Sequence, residues 1–229
     1  MSADEQVYIQ ALALGLDPAW RRRTEEERHH DGYQFGEAET AAALDGVRSI
    51  AYSSIGLEPG IDLLFWRMAP TVDALETAAA ALLGAGLGTW LTVRHSFIGR
   101  IGPSQYVRKP TDQEQSLFAG ERSRYLVVYP FTKSTDWYLL SKEARQGVMN
   151  EHMRVGHDYP TIRQALAYSF GLDSQEFVVA YEMDDLVAFG DLVRALRSTE
   201  SRRSTVSDTP IILGIHRPLD EILALLGAA

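Results

Sequence analysis

An internal repeat constrains the fold most, because the two halves of the chain carry the same signals in the same order. Trp20 in the first half and Trp137 in the second each precede a charged helical segment. A Tyr-Ser pair follows at nearly equal spacing, at Tyr52 and Tyr168, and leads through Gly-Leu into an apolar segment. An amphipathic helix and a final strand complete each half. This order predicts an α+β fold of tandem ferredoxin-like repeats, which pair their sheets into a dimeric α+β barrel type of fold.

The predicted repeats occupy residues 1–110 and 124–229, and residues 111–123 form a linker with little hydrophobic periodicity. Counted from the two tryptophans, His152 of the second half falls where the first half has Phe35. We therefore expect the first repeat to be structural and the second to carry the chemistry.

Composition excludes several classes of function. The net charge of -9 argues against nucleic acid and against anionic membrane surfaces as partners. The chain contains no cysteine, so disulfides, thiolate catalysis and iron–sulfur ligation are excluded. No signal peptide is evident, and no apolar run approaches the roughly 20 residues that span a bilayer. A cytoplasmic protein is the resulting expectation.

Segments of both halves resemble the chlorite dismutase superfamily. They are Tyr52–Leu57, Asp62–Trp66, Ser104–Tyr106, Tyr129–Lys133, Trp137-Tyr138, Glu151-His152, Tyr168–Asp173 and Leu196–Glu200. Members are homo-oligomers, commonly pentamers, with one haem in the C-terminal half of each subunit. The resemblance implies an iron porphyrin, haem b or coproheme, as cofactor, and hydrogen peroxide or chlorite as the small substrate.

Two positions separate the activities within this superfamily. Coproheme decarboxylases of one bacterial lineage carry a tyrosine at the position of Tyr129 and a distal glutamine, whereas chlorite-degrading members carry a distal arginine. Aligning backward from Gly171 places Gln164 at the distal position. The stretch between His152 and Gly171 is one residue shorter than expected, so Arg163 stays open as the distal residue.

The resemblance also assigns the proximal side of the porphyrin. His152 would be the axial iron ligand, since a neutral imidazole suits iron. Its competitor, His157, points to a different helix face. Glu200 would accept the other imidazole N–H and fix the ring.

The remaining assignments concern the porphyrin edge. Tyr129 would relay a radical, or else be an ordinary core tyrosine. Lys133 would position the reacting propionate, although in chlorite-degrading relatives the matching lysine touches the proximal His–Glu pair. Arg197 and Arg202 would grip propionates. Trp137, with its neighbour Tyr138, would wall the porphyrin or belong to the core.

The leading hypothesis is therefore a haem-dependent oxidoreductase that converts coproheme to haem b with peroxide. Chlorite breakdown or peroxidase activity is the first alternative. The second is a haem carrier or sensor without catalysis.

Overall fold

The computed structural model describes residues 6–102, 106 and 120–229, which form two compact units. The first unit contains Met1–Ile101 together with Leu213–Ala229, and the second contains Gly102–Ile212. Residues 213–229, which the sequence assigned to the second repeat, thus lie with the first half. Of the predicted linker at 111–123, residues 111–119 lie outside the described residues, and residues 120–123 belong to the second unit.

The first unit contains an antiparallel sheet, to which residues 7–101 contribute four strands and residues 213–216 a short fifth one beside Tyr52 and Ser53, together with two main helices. Its elements are β1 (Val7–Leu16), α1 (Glu25–Leu44), β2 (Arg48–Glu58), β3 (Ile61–Ala69), α2 (Val72–Gly84) and β4 (Leu91–Ile101), with 3-10 turns at Pro18–Arg22 and Gly86–Trp90. The strands lie in the order β4-β1-β3-β2. Thr24 and Glu27 form a capping box that begins α1. Phe35 of this helix is fully buried against the sheet.

The second unit repeats this pattern of elements. They are β5 (Tyr125–Lys133), α3 (Thr135–Leu139), α4 (Lys142–His157), β6 (Arg163–Tyr168), β7 (Phe177–Met183), α5 (Leu186–Arg197), a 3-10 turn (Glu200–Ser204) and β8 (Thr205–Ser207). All pairings are antiparallel, in the order β6-β7-β5-β8. The chain ends with β9 (Ile212–His216) and α6 (Leu219–Leu225). The predicted α+β class is confirmed, while descent from a tandem repeat stays an interpretation.

The sheet of the second unit has two unlike faces, because side chains alternate along each strand. One face is buried and mainly aliphatic, with Leu126, Val128, Ala165, Val178 and Ala180. The opposite face, which we call the aromatic face, carries Tyr129, Phe131, Gln164, Phe177 and Tyr181. Phe189 of α5 lies against the ring of Tyr181, at 5.4 Å between centroids, so α5 covers part of the aromatic face.

Among the described residues, no helix combines the length and the apolar character that crossing a membrane requires.

Candidate active site

His152 lies on helix α4, which begins where Ser141 caps the backbone N–H of Ala144. Its imidazole is half-buried, and Nδ1 is a buried atom without a hydrogen-bond partner among the described residues. Burial, reinforced by the positive charge of Lys133, lowers the pKa of His152 to about 4, although Glu151 opposes the shift. The ring is therefore neutral near pH 7, which is the form that binds a metal. His157, the competing ligand, is exposed at the end of the helix.

Helix α4 is covered incompletely by protein. None of its residues is buried, although Val148, Met149 and Val155 share the side of the helix that carries His152. Its main contacts are with α5 and with the 3-10 turn Glu200–Ser204 rather than with the strands. A helix with a half-exposed apolar side, in the same unit as an aromatic sheet face, is suited to a flat apolar ligand.

Lys133 occupies the end of β5 and is held from several sides. Its Nζ donates to the carbonyl and Oγ of Ser201, at 3.0 and 2.9 Å, and to Oγ1 of Thr205 at 3.2 Å. The ammonium also lies over the ring of Trp137, 4.8 Å from the centroid. Burial, with the charge of Arg202, lowers the pKa of Lys133 to about 8, while Glu176 opposes the shift. Ser201 belongs to the 3-10 turn that packs on helix α4, so these contacts bring Lys133 near the helix of His152. The predicted contact of Lys133 with a propionate stays a prediction.

Glu200 was predicted to accept a hydrogen bond from His152, and the structure gives its carboxylate a different partner. Glu200 Oε2 lies 3.3 Å from Arg203 Nε, in an exposed ion pair. Only its backbone approaches α4, where the Glu200 N–H donates to Glu151 at 3.0 Å. The partnership with His152 therefore stays a prediction.

Tyr129 stands on the aromatic face, two residues from Phe131 along β5. Its ring stacks near that of Tyr181, with centroids 6.1 Å apart. Burial is the main cause that raises the pKa of Tyr129, and Tyr181 and Asp208 add to it, against Arg197. The phenol therefore keeps its proton at physiological pH, as a donor of hydrogen atoms must.

Arg197 and Arg202, the predicted propionate-binding residues, come together on one carboxylate. Asp208 Oδ2 lies 2.6 Å from Arg202 Nη1 and 3.3 Å from Arg197 Nη2. The sequence had not drawn attention to Asp208, since it belongs to no recognisable motif.

The structure distinguishes the two candidates for the distal residue. Arg163 lies 2.9 Å from fully buried Glu182 and also donates to Ser123, on the side of β6 that faces away from Tyr129. Gln164 is the neighbour on the aromatic face, in register with Tyr181. The role of Gln164 with peroxide stays a prediction.

Trp137 and Tyr138 lie on α3, next to the end of β5. Trp137 is buried beneath Lys133, whereas Tyr138 donates from its hydroxyl to Glu176 Oε2 at 2.5 Å. The same oxygen accepts the backbone N–H of Lys133 at 2.7 Å. Glu176, another residue that the sequence did not single out, therefore fixes both the aromatic wall and the lysine.

Comparison with known proteins is decisive about the family. Residues 28–217 match the family model described as chlorite dismutase. The chain belongs to the chlorite dismutase family. The coproheme decarboxylase of Mycolicibacterium smegmatis is 30% identical over 184 residues, which cover 76% of this chain and 75% of the relative.

Solved structures of the family superimpose closely. An arginine-to-lysine mutant of chlorite dismutase from Candidatus Nitrospira defluvii has a TM-score of 0.89 at 28% identity, covering 98% of this chain and 96% of that one. A tryptophan-to-phenylalanine mutant of the same enzyme, in complex with cyanide, has a TM-score of 0.88 at 28% identity, covering 96% and 95%. The predicted superfamily, enzyme class and iron porphyrin cofactor are thereby confirmed at the level of the family. The homopentamer and the cytoplasmic location stay predictions.

The residues of the second unit fit such a cofactor. His152 offers a neutral imidazole, the aromatic face offers flat apolar contacts, and Arg197 with Arg202 offers cations for carboxylates.

Proposed function

We propose that this chain is a coproheme decarboxylase, which converts iron coproporphyrin III into haem b with hydrogen peroxide. The observation that carries the proposal is which side chain of β6 shares the sheet face of Tyr129. Arg163 is held by Glu182 away from Tyr129, and Gln164 shares the aromatic face with that phenol. A glutamine and a tyrosine in these places are what the resemblance implies for decarboxylases. The relative from Mycolicibacterium smegmatis supports the same activity.

The net reaction balances for each propionate that is converted. The propionate loses carbon dioxide and one hydrogen, with two electrons, to become a vinyl group. Hydrogen peroxide takes up that hydrogen, the two electrons and one proton from solvent, and becomes two waters. The bound iron porphyrin supplies the oxidation by peroxide.

The side chains of this protein would bind the iron porphyrin and orient its propionates. His152 would hold the iron through its neutral imidazole, and Arg197 with Arg202 would hold a propionate carboxylate beside Tyr129. The Tyr129 hydroxyl, once oxidised by loss of its hydrogen atom, would take a hydrogen atom from the carbon chain of that propionate and so return to the phenol. Gln164 would offer an amide to peroxide on the distal side. Burial of Trp137 beneath Lys133 would keep water from this edge.

A direct test mixes ferric coproporphyrin III with the purified protein, titrates hydrogen peroxide and follows the porphyrin mass. We expect two successive losses of carbon dioxide from the wild-type reaction. The Tyr129→Phe variant should bind the porphyrin with similar affinity and lose most of the decarboxylation. A porphyrin mass that stays constant with the wild-type protein would refute the proposal.

A second candidate, chlorite breakdown, is favoured by the position of Lys133. Its Nζ donates to Ser201 of the 3-10 turn that packs on helix α4, and this supports a lysine near His152, as the resemblance implies for chlorite-degrading relatives. Dioxygen release on addition of chlorite, measured with haem b bound, separates this candidate from the first.

A further inference from the structure

Asp208 is a partly buried carboxylate that binds two more exposed guanidinium groups. It accepts hydrogen bonds from Arg202 Nη1 at 2.6 Å and from Arg197 Nη2 at 3.3 Å. Its side chain is 19% exposed, against 48% for Arg197 and 38% for Arg202. Long arginine side chains with that exposure lose considerable rotamer freedom when they are held in place. Asp208 therefore restrains a pair of side chains that would otherwise move freely.

The strand register puts this cluster beside Tyr129. Ser207 of β8 lies opposite Thr132 of β5, and the strands are antiparallel. Asp208, the next residue, consequently comes level with Phe131, which shares the aromatic face with Tyr129. The charges of Asp208 and Arg197 both act on the Tyr129 phenol, in agreement with this placement.

The charge and the donors of the cluster leave room for one more anion. Two guanidinium cations and one carboxylate carry a net charge of one positive unit. Each guanidinium has five N–H donors, and the contacts with Asp208 occupy few of them. The donors that remain suit a carboxylate, which arginine binds in a two-pronged geometry.

We propose that Asp208 is a positioning residue, which holds Arg197 and Arg202 as one carboxylate-binding unit that selects the porphyrin propionate next to Tyr129. The identity of this carboxylate rests on the proposed function, because only a coproporphyrin carries propionates at the positions that become vinyl groups in haem b. The unit therefore distinguishes the substrate of the reaction from its product.

The test measures binding without peroxide. Dissociation constants for ferric coproporphyrin III and for haem b are obtained by Soret titration of the wild-type, Asp208→Ala and Asp208→Glu proteins. Loss of the restraint in Asp208→Ala should weaken coproporphyrin binding roughly tenfold, as expected for a charged hydrogen-bond network, and leave haem b binding nearly unchanged. Asp208→Glu should recover most of the affinity. Equal or tighter coproporphyrin binding by Asp208→Ala would overturn the proposal, since Asp208 would then merely compete with the propionate.

Two controls separate positioning from general damage to the fold. Asp191→Ala breaks an exposed ion pair on α5, where Asp191 lies 3.2 Å from Arg194, and should change neither dissociation constant. In a background with Arg197→Gln and Arg202→Gln, adding Asp208→Ala should have no further effect. An additional tenfold loss in that background would mean that Asp208 acts elsewhere. If Asp208→Ala does not fold, Asp208→Asn, which keeps the shape, replaces it with the same expected direction.

The outcomes also separate this inference from the proposed function. A selective loss of coproporphyrin affinity without any release of carbon dioxide would support the carboxylate site and refute the decarboxylase. Release of carbon dioxide by the wild-type protein, with unaltered affinities in Asp208→Ala, would support the decarboxylase and refute the positioning role of Asp208.

Discussion

The two units share an order of elements but fill the space between helix and sheet differently. In the first unit, Phe35 of α1 is fully buried, 6.4 Å from the ring of Phe65, within a continuous apolar cluster. In the second unit, His152 takes the corresponding place on α4, and no residue of that helix is buried. At this position the first unit therefore has a core residue, and the second has a residue that is available to bind a ligand.

The facing strands show the same difference. Counted from Trp20 and Trp137, the buried residues Leu12, Leu14 and Leu16 of β1 correspond to Tyr129, Phe131 and Lys133 of β5. Apolar side chains that interdigitate give a stable core, whereas the half-buried phenol of Tyr129 and ammonium of Lys133 are polar groups that need partners. The comparison teaches that a porphyrin in the second unit would take the place of the apolar core in the first.

Replacing His152 should have the largest effect on the second unit. His152→Ala removes the proposed iron ligand, and we expect porphyrin affinity to fall about 100-fold or more, since even partners of metal ligands account for 10- to 100-fold. Soret titration measures the loss. The unfolding midpoint of the ligand-free protein should be little changed, because His152 fills no core. A Soret band of normal position and intensity in His152→Ala would contradict the comparison.

The matching change in the first unit should do the opposite. Phe35→Ala opens a cavity in a filled core, which costs about 3–5 kcal/mol of unfolding free energy. Urea denaturation measures that cost. The dissociation constant for the porphyrin should stay at its wild-type value in the protein that remains folded. Weaker porphyrin binding by the folded Phe35→Ala protein would contradict the comparison, because it would show that the core of the first unit affects the cofactor site.

Much of this architecture could be predicted because the signals are local. The charged helical segments after Trp20 and Trp137, the apolar segments and the amphipathic helices are local features, and the structure contains helices and strands in that order. Family resemblance then gave His152 and Tyr129, which both lie in the second unit.

Long-range partners could not be predicted in the same way. Whether Arg163 or Gln164 faces Tyr129 depends on the register of β6, which one inserted or deleted residue reverses. The hydrogen bonds of Lys133 reach Ser201 and Thr205 across a register shift between Thr132 and Lys133. Asp208 carried a weak signal, an acidic residue following an arginine-rich turn, but nothing local shows which arginines it binds.

The pH dependence of stability offers a smaller test of the same difference. The folded protein resists protonation of His152 until about pH 4, whereas the ordinary pKa is 6.5. As the pH falls from 6.5 towards 4, unfolded chains gain a proton that folded ones do not, so the unfolding free energy decreases. We expect a decrease of about 1–2 kcal/mol, which levels off below pH 4.

The control for this titration is His152→Phe, which introduces the side chain that the first unit uses. At each pH, the unfolding free energy of this variant is subtracted from that of the ligand-free wild type, and the difference isolates the contribution of His152. The lowered pKa of Lys133 changes stability between about pH 8 and 10.5, which is outside the range from pH 4 to 6.5 in which His152 is tested. A difference that stays constant between pH 4 and 6.5 would show that the imidazole is hydrated.

Glu200 should give the smallest effect on stability, and it shows whether His152 acquires a carboxylate partner when iron binds. In the structure described above, Glu200 pairs with Arg203, and both side chains are exposed, at 57% and 81%. Such a pair contributes about 0.5 kcal/mol or less, so turning the carboxylate towards His152 Nδ1 would cost little. Glu200→Gln should therefore leave the unfolding free energy of the ligand-free protein nearly unchanged, yet weaken porphyrin binding about tenfold. Arg203→Gln, which breaks the same pair without touching His152, should weaken neither property. If the two variants bind the porphyrin equally well, the predicted partnership is wrong, and the imidazole N–H must donate to another acceptor near α4.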